Sequence, residues 1–251
     1  MRLKKMLRQH LLIAILAILF LACGASHRLT NNIEYHDTVF DYDQLKADGL
    51  IFGGISSQFI KLTPEQRLDY GSIITHSLLE KLKDVQLIRL TNPVQVIDKI
   101  GKAKYLNIME SFDVTQKLAD TTQVFLRDTL IQAKYLLMAY IVNENVIDDS
   151  FSEHITENNQ EKIETEYQKT YFLTVEFQIY DLFRQRVVFR NSIFNTATNT
   201  DSRTTRAGCV ESCMDDLIQT ILFGSPADID REEVLEKIAD SFAKDLPKKA
   251  R

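Results

Sequence analysis

Residues 135–147, Tyr-Leu-Leu-Met-Ala-Tyr-Ile-Val-Asn-Glu-Asn-Val-Ile, decide the fold. The first eight carry no charge and are rich in β-branched and aromatic side chains. Such a run is too apolar to face water, so it is a central strand of a covered sheet. Downstream, residues 148–166 hold seven acids against one base, Lys162. Self-repulsion and few apolar residues predict a solvated loop or the end of a long hairpin there. Thr170–Tyr180 then alternates: Tyr171, Leu173, Val175, Phe177 and Ile179 share one face, and Thr174, Glu176 and Gln178 the other. Leu182–Gln185 is a tight turn, Arg186–Ala197 the returning strand, and Thr198–Arg206 a polar run. Helices are expected over Cys209–Phe223 and Asp230–Leu246. In the second, Asp230 caps, Glu233 sits at N3, and Val234, Leu235, Ile238, Phe242 and Leu246 form the apolar face.

Upstream, residues 104–132 read as helix in two pieces, the second near Val124–Gln132. Thr63-Pro64-Glu65-Gln66 is a helix start with cap, N1 proline and N3 glutamine, and the helix runs to near Asp84. Asn92-Pro93 opens another, which ends at Gly101. Val85–Leu90 and Gly49–Ser56 are strands, and paired Gly53-Gly54 within the latter marks a bulge or a close backbone approach. The fold class is therefore α/β: a central mixed sheet with a long β-hairpin and flanking helices.

At the other end of the chain, Arg2, Lys4, Lys5 and Arg8 precede an unbroken apolar run over residues 11–22. Twelve residues span about 18 Å as a helix, short of the ~30 Å hydrocarbon core, which fits a secretory signal over 1–22. Phe20-Leu21-Ala22-Cys23 resembles a bacterial lipobox. The resemblance implies cleavage before Cys23 and acylation of its thiol and new amine with palmitate-type chains. Two or three such chains hold a protein stably, at ~0.8 kcal/mol per buried CH₂. Gly24 is not the aspartate that resembles an inner-membrane retention signal. In a two-membrane bacterium this places the protein on the outer membrane, facing the periplasm. Residues 23–37, polar after the cysteine, are expected to be a flexible tether, and 38–251 a single α/β domain with the acidic insertion at 148–166 and a helical C-terminus.

The whole chain has 251 residues, 45% hydrophobic and 26% charged, with net charge −5. Removing 1–22 takes four cations and leaves −9 on 229 residues. These fractions exclude wholesale disorder, and the acidity excludes the concentrated basic face that nucleic acid requires. Three cysteines are too few for a disulfide scaffold. Cys209 and Cys213, four apart, lie within roughly 6 Å on a helix and are a candidate disulfide in an oxidising compartment. No histidine or further cysteine lies near them for zinc.

With this order in place, Asp48-Gly49-Leu50-Ile51-Phe52-Gly53-Gly54, Ala133-Lys134-Tyr135-Leu136-Leu137-Met138, Tyr180-Asp181 and Leu246-Pro247 together resemble a group of bacterial envelope lipoproteins. The group comprises the curli-secretion lipoprotein family, the penicillin-binding-protein activator lipoproteins and the N-terminal domain of the Tol-Pal β-propeller protein. The resemblance lies in element order across residues 48–247 and implies a tethered α/β domain that binds other envelope proteins. It does not extend to a membrane-spanning hairpin, because the acidic 148–166 stretch cannot face lipid. The segment 203–229 is additional to the plain fold.

Catalytic patterns are missing from the sequence. There is no phosphate loop, no His-Glu-x-x-His and no Gly-x-Ser-x-Gly elbow. His27 and His36 fall in the expected tether, His154 in the acidic stretch, and His76 on a helix surface. The acids lack calcium-loop spacing. Tyr167, Tyr171, Phe172, Phe177 and Tyr180 read as core and cross-strand packing. No cofactor, metal or enzyme activity is implied. The expected function is a lipid-anchored, non-enzymatic protein-binding or regulatory module of the envelope. An oligomeric structural or secretion-associated lipoprotein is the alternative, and a small-ligand binder or enzyme would need polar groups converging near Gly53-Gly54. Mass spectrometry of the mature N-terminus should find an acylated Cys23, and an unmodified Met1 would remove the anchor.

Overall fold

A computed structural model of the chain describes residues 25–81, 90–130, 133–157, 160–206 and 228–248. The signal sequence, Cys23, all but Leu90 of the strand expected over Val85–Leu90, and the helix expected over Cys209–Phe223 with its two cysteines lie outside the described residues. The elements are β1 (Ser26–His36), α1 (Tyr42–Asp48), β2 (Leu50–Ser57), α2 (Pro64–Lys81), β3 (Leu90–Thr91), α3 (Pro93–Ile100), α4 (Lys102–Thr115), α5 (Asp120–Leu130), β4 (Tyr135–Glu157), β5 (Gln160–Asp181), β6 (Arg186–Arg206) and α6 (Arg231–Asp245). The six strands form one sheet in the order β1-β6-β5-β4-β2-β3. This is the expected mixed α/β architecture.

β2 runs parallel to both β3 and β4. Four residues, Leu182–Gln185, join β5 to β6, a connection short enough only for antiparallel neighbours. The Asp37 N–H donates to Val188 O (2.8 Å) and Glu34 approaches Arg190 (4.0 Å), so β1 and β6 are antiparallel too. All of β2 is buried, as is β4 from Tyr135 to Ile141. One sheet face packs Ile51, Leu136, Met138, Tyr140 and Tyr180 against α3, α4 and α5. On the other, Phe177 stacks on Phe242 of α6 at 4.1 Å, and Phe189 meets Phe242 and Phe40. α6 packs along α2 on that side.

The helix starts are where their chemistry puts them. Thr63 Oγ1 accepts from Gln66 N–H (3.2 Å) while Gln66 Oε1 accepts from Thr63 N–H (3.0 Å). Asn92 and Gln95 repeat this box, and Asp230 accepts from Glu232 N–H (2.8 Å). The β2–β4 register slips between Phe52 and Gly54, so the paired glycines do mark a bulge. A Cβ on Gly53 would lie 2.5 Å from Met138 Sδ, and Gly54, at φ +147°, abuts the Tyr105 hydroxyl.

Two expectations need correction, and one resolves between its alternatives. Residues 26–36 are not a flexible tether but strand β1, hydrogen-bonded into the sheet through β6. Its side chains are mostly exposed, so no apolar pattern announced it. The acidic stretch takes the second of its two expected forms, the end of a long hairpin: β4 and β5 run into it as ladder, and the polar 198–206 run is the end of β6. Backbone pairing, not burial, holds those strands. Finally, 38–251 does not form one unit. The chain divides into a larger unit of Arg28–Val146, Tyr171–Thr196 and Asp230–Arg251, and a smaller one of Met1–His27, Ile147–Thr170 and Ala197–Ile229.

Gly54→Ala should lower the unfolding free energy by about 1–3 kcal/mol in urea titration, because the methyl meets Tyr105 in a packed core. An unchanged midpoint would contradict the close approach.

Candidate functional site

In open α/β sheets, ligands and partners meet the carboxyl ends of the parallel strands. Here that end is built by Ser56 and Ser57 of β2, Tyr140 of β4 and the end of α4. Asp113, on the last turn of α4, accepts from Ser56 Oγ, from Ser57 N–H (3.2 Å) and from both terminal nitrogens of Arg67 (2.5 and 3.3 Å). Arg67, on α2, is 4% exposed and also donates to Ile55 O (3.0 Å). This ion pair spans the carboxyl end of β2 and joins helices from opposite faces of the sheet.

Beside it, Gln116 sits in the left-handed region at φ 53° and closes α4, its N–H on Phe112 O. Its side chain donates to Gln58 Oε1 (2.9 Å) and Tyr140 Oη (2.8 Å), and Tyr140 donates to Gln58 (3.0 Å). Gln178 donates to Gln116 O and Glu176, and accepts from Tyr180. Glu176 pairs with Arg190 (3.3 Å). Burial raises both phenols, Tyr180 to about 12, so they donate hydrogen bonds and do not act as bases.

A second cluster starts at α6. Arg231 pairs with Glu144 and donates to Tyr171 Oη (3.0 Å) and Tyr70 Oη (2.6 Å), while Tyr171 donates to Glu144 (2.5 Å). It ties α2, β4, β5 and α6 together. Between α2 and α6 an open cleft of about 750 Å³ is lined by Ser72, Ile73, His76, Asp230, Glu232, Glu233 and Glu236. Its acids crowd the start of α6, where they favour the helix dipole.

These arrangements are clamps. Asp113, Glu176 and Glu144 each hold a guanidinium group, of Arg67, Arg190 and Arg231, while Glu144 Oε2 and Arg190 Nε have no hydrogen-bond partner among the described residues. The histidines are not brought together: His36 Nε2 lies 2.8 Å from Phe40 O, and His76 is exposed beside Glu80 (3.8 Å). Among the described residues no group of three or more His, Cys, Asp or Glu side chains could hold a metal ion. Beside Gly53 there is an apolar gap of about 10 Å³ whose one side-chain polar atom, Tyr105 Oη, has no partner. That is room for about one water, and the rest of the lining is apolar, so polar groups do not converge there on a ligand.

Of the aromatic residues, Tyr171, Phe177 and Tyr180 are buried as expected, and Phe172 stacks on Phe194 at 6.2 Å, but Tyr167 is exposed. Sequence reasoning missed the Arg67–Asp113 pair and Gln116. A basic residue inside an otherwise apolar helix stripe was the signal for the first.

No protein-family model and no curated protein matches the chain. Among solved structures, it is similar to the PelC dodecamer from Paraburkholderia phytofirmans (11% identity, TM-score 0.36, covering 89% of this chain and 100% of that one). It is also similar to the hypothetical protein CT253 from Chlamydia trachomatis (9%, 0.34, 78% and 94%) and to the lipoprotein GNA1162 from Neisseria meningitidis (7%, 0.32, 69% and 93%). Scores of this size assign no family.

Asp113→Ala should cost about 3–5 kcal/mol in urea unfolding, because it strands the buried Arg67 charge. A loss under about 1 kcal/mol would show that the pair is not what closes the end of β2.

Proposed function

We propose that the protein is a non-catalytic, structural lipoprotein of the bacterial envelope that works as an oligomer, anchored through acylated Cys23. One observation carries this reading. In the smaller unit, Ala197 is the one buried side chain among the residues whose burial is described. Among the described residues the strands there bury no core of their own, and Ile147, Phe151 (67% exposed) and Tyr167 are exposed. A ladder without a covered face is marginal in water, and contact with another protein surface would cover it. Lys169 pairs with Asp228 (2.9 Å) and approaches Asp148 (3.9 Å), surface contacts that add little stability to the ladder.

The polar clusters of the larger unit support the non-catalytic half of the reading, since they are spent on joining elements. The signal-like N-terminus and the lipobox resemblance support the envelope location. No described helix is long and apolar enough to cross a membrane. Binding of a different envelope protein is the broader form of the same idea, and self-association its specific form.

Native mass spectrometry of the mature chain in detergent should give multiples of the protomer mass. Phe151→Ser should weaken association without changing the urea midpoint. A protomer mass at all concentrations would contradict self-association.

A further inference from the structure

We propose that β1 is the seam between two copies of this chain, paired antiparallel about Asn31. The inference rests on the reading of the protein as self-associating and adds a second surface to the uncovered ladder of the smaller unit. β1 ends the strand order with β6 as its one neighbour, so its outer row of N–H and C=O groups is open among the described residues. The Asp37 N–H points into the sheet, to Val188 O. Counting back, the even-numbered residues of β1 turn their backbone groups to the free edge.

The side chains fit a self-pairing in one register. With Asn31 opposite Asn31 of the second copy, Arg28 faces Glu34 of that copy, and Glu34 faces its Arg28. Both are exposed. Both are even-numbered, so they occupy hydrogen-bonded positions of the new ladder. Leu29 then faces Ile33, at non-hydrogen-bonded positions where side chains come closest. These two are 39% and 48% exposed. They flank Asn31, whose amide donates to Ser241 Oγ (2.8 Å) and Asp245 Oδ2 (3.0 Å) of α6, so they lie on the α6 side of the sheet. Pairing covers two Leu–Ile contacts beside α6 and forms two Arg–Glu contacts on the opposite face. A one-residue slip would bring inward-facing backbone groups to the seam and lose both sets. The seam is isologous, so it makes a closed pair and not an open fibre.

Charge exchange tests this on the mature, acylated chain in detergent, with mass read by native mass spectrometry across a dilution series. Arg28→Glu and Glu34→Arg should each raise the dissociation constant about tenfold or more, since each sets like charges opposite one another twice. The double variant R28E/E34R should return to the wild-type value. Thr30→Pro removes an N–H on the free edge and should also dissociate the pair while the urea midpoint stays near wild type. If the single variants keep the wild-type mass, the seam is elsewhere and self-association stands without it. If they dissociate and the double variant does not recover, the register is wrong. A wild-type chain that is a monomer throughout overturns both the seam and the self-association reading.

Discussion

Everything in the larger unit follows from β2 being buried along its whole length, from Leu50 to Ser57. A strand covered on both faces demands a helical layer on each, and parallel neighbours demand crossovers, which α2, α3, α4 and α5 supply. Met138 and Leu136 of the neighbouring β4 leave no room for a side chain at Gly53, Tyr105 and Met109 of α4 leave none at Gly54, and the β2–β4 register slips there. Burial also sets the chemistry at its end. The orphaned backbone of Ile55 and Ser57 is met by Arg67 and Asp113, a charge pair reaching round the strand from both layers.

That constraint separates what could be read in the sequence from what could not. The Thr63, Asn92 and Asp230 caps act within four residues, so their helices were legible. The alternation over Tyr171–Ile179 was legible because one face meets a core. β1 was not, since Ser26–His36 buries almost nothing and is a strand only because β6 offers hydrogen-bond partners. For the acidic continuation of β4 the sequence leaves loop and hairpin end open, because no described residue there is buried to set a period. α1 escaped notice because one buried apolar residue, Leu45, makes no periodicity, although Asp41 and Gln44 form its cap. Of the candidate site, Tyr180 and the glycines were visible locally. The partnership of Arg67 with Asp113, which lie far apart in sequence, required the fold.

The distribution of satisfied and unsatisfied groups is the argument for function. Inside the larger unit, the guanidinium groups of Arg67, Arg190 and Arg231 close on carboxylates of the chain, while Tyr105 Oη and Glu144 Oε2 stay without a hydrogen-bond partner among the described residues. At the edge, β1 presents an open ladder with Leu29 and Ile33 on one side and Arg28 and Glu34 on the other. A surface of that kind recognises an extended backbone, and its own sequence is complementary to it.

Hydrogen–deuterium exchange resolved along β1 tests the central claim most directly. At concentrations where the protein is associated, the amides of Arg28, Thr30, Asn32 and Glu34 should exchange slowly, and they should exchange fast once the protein is diluted to protomers. Fast exchange of these four amides at every concentration would contradict the account.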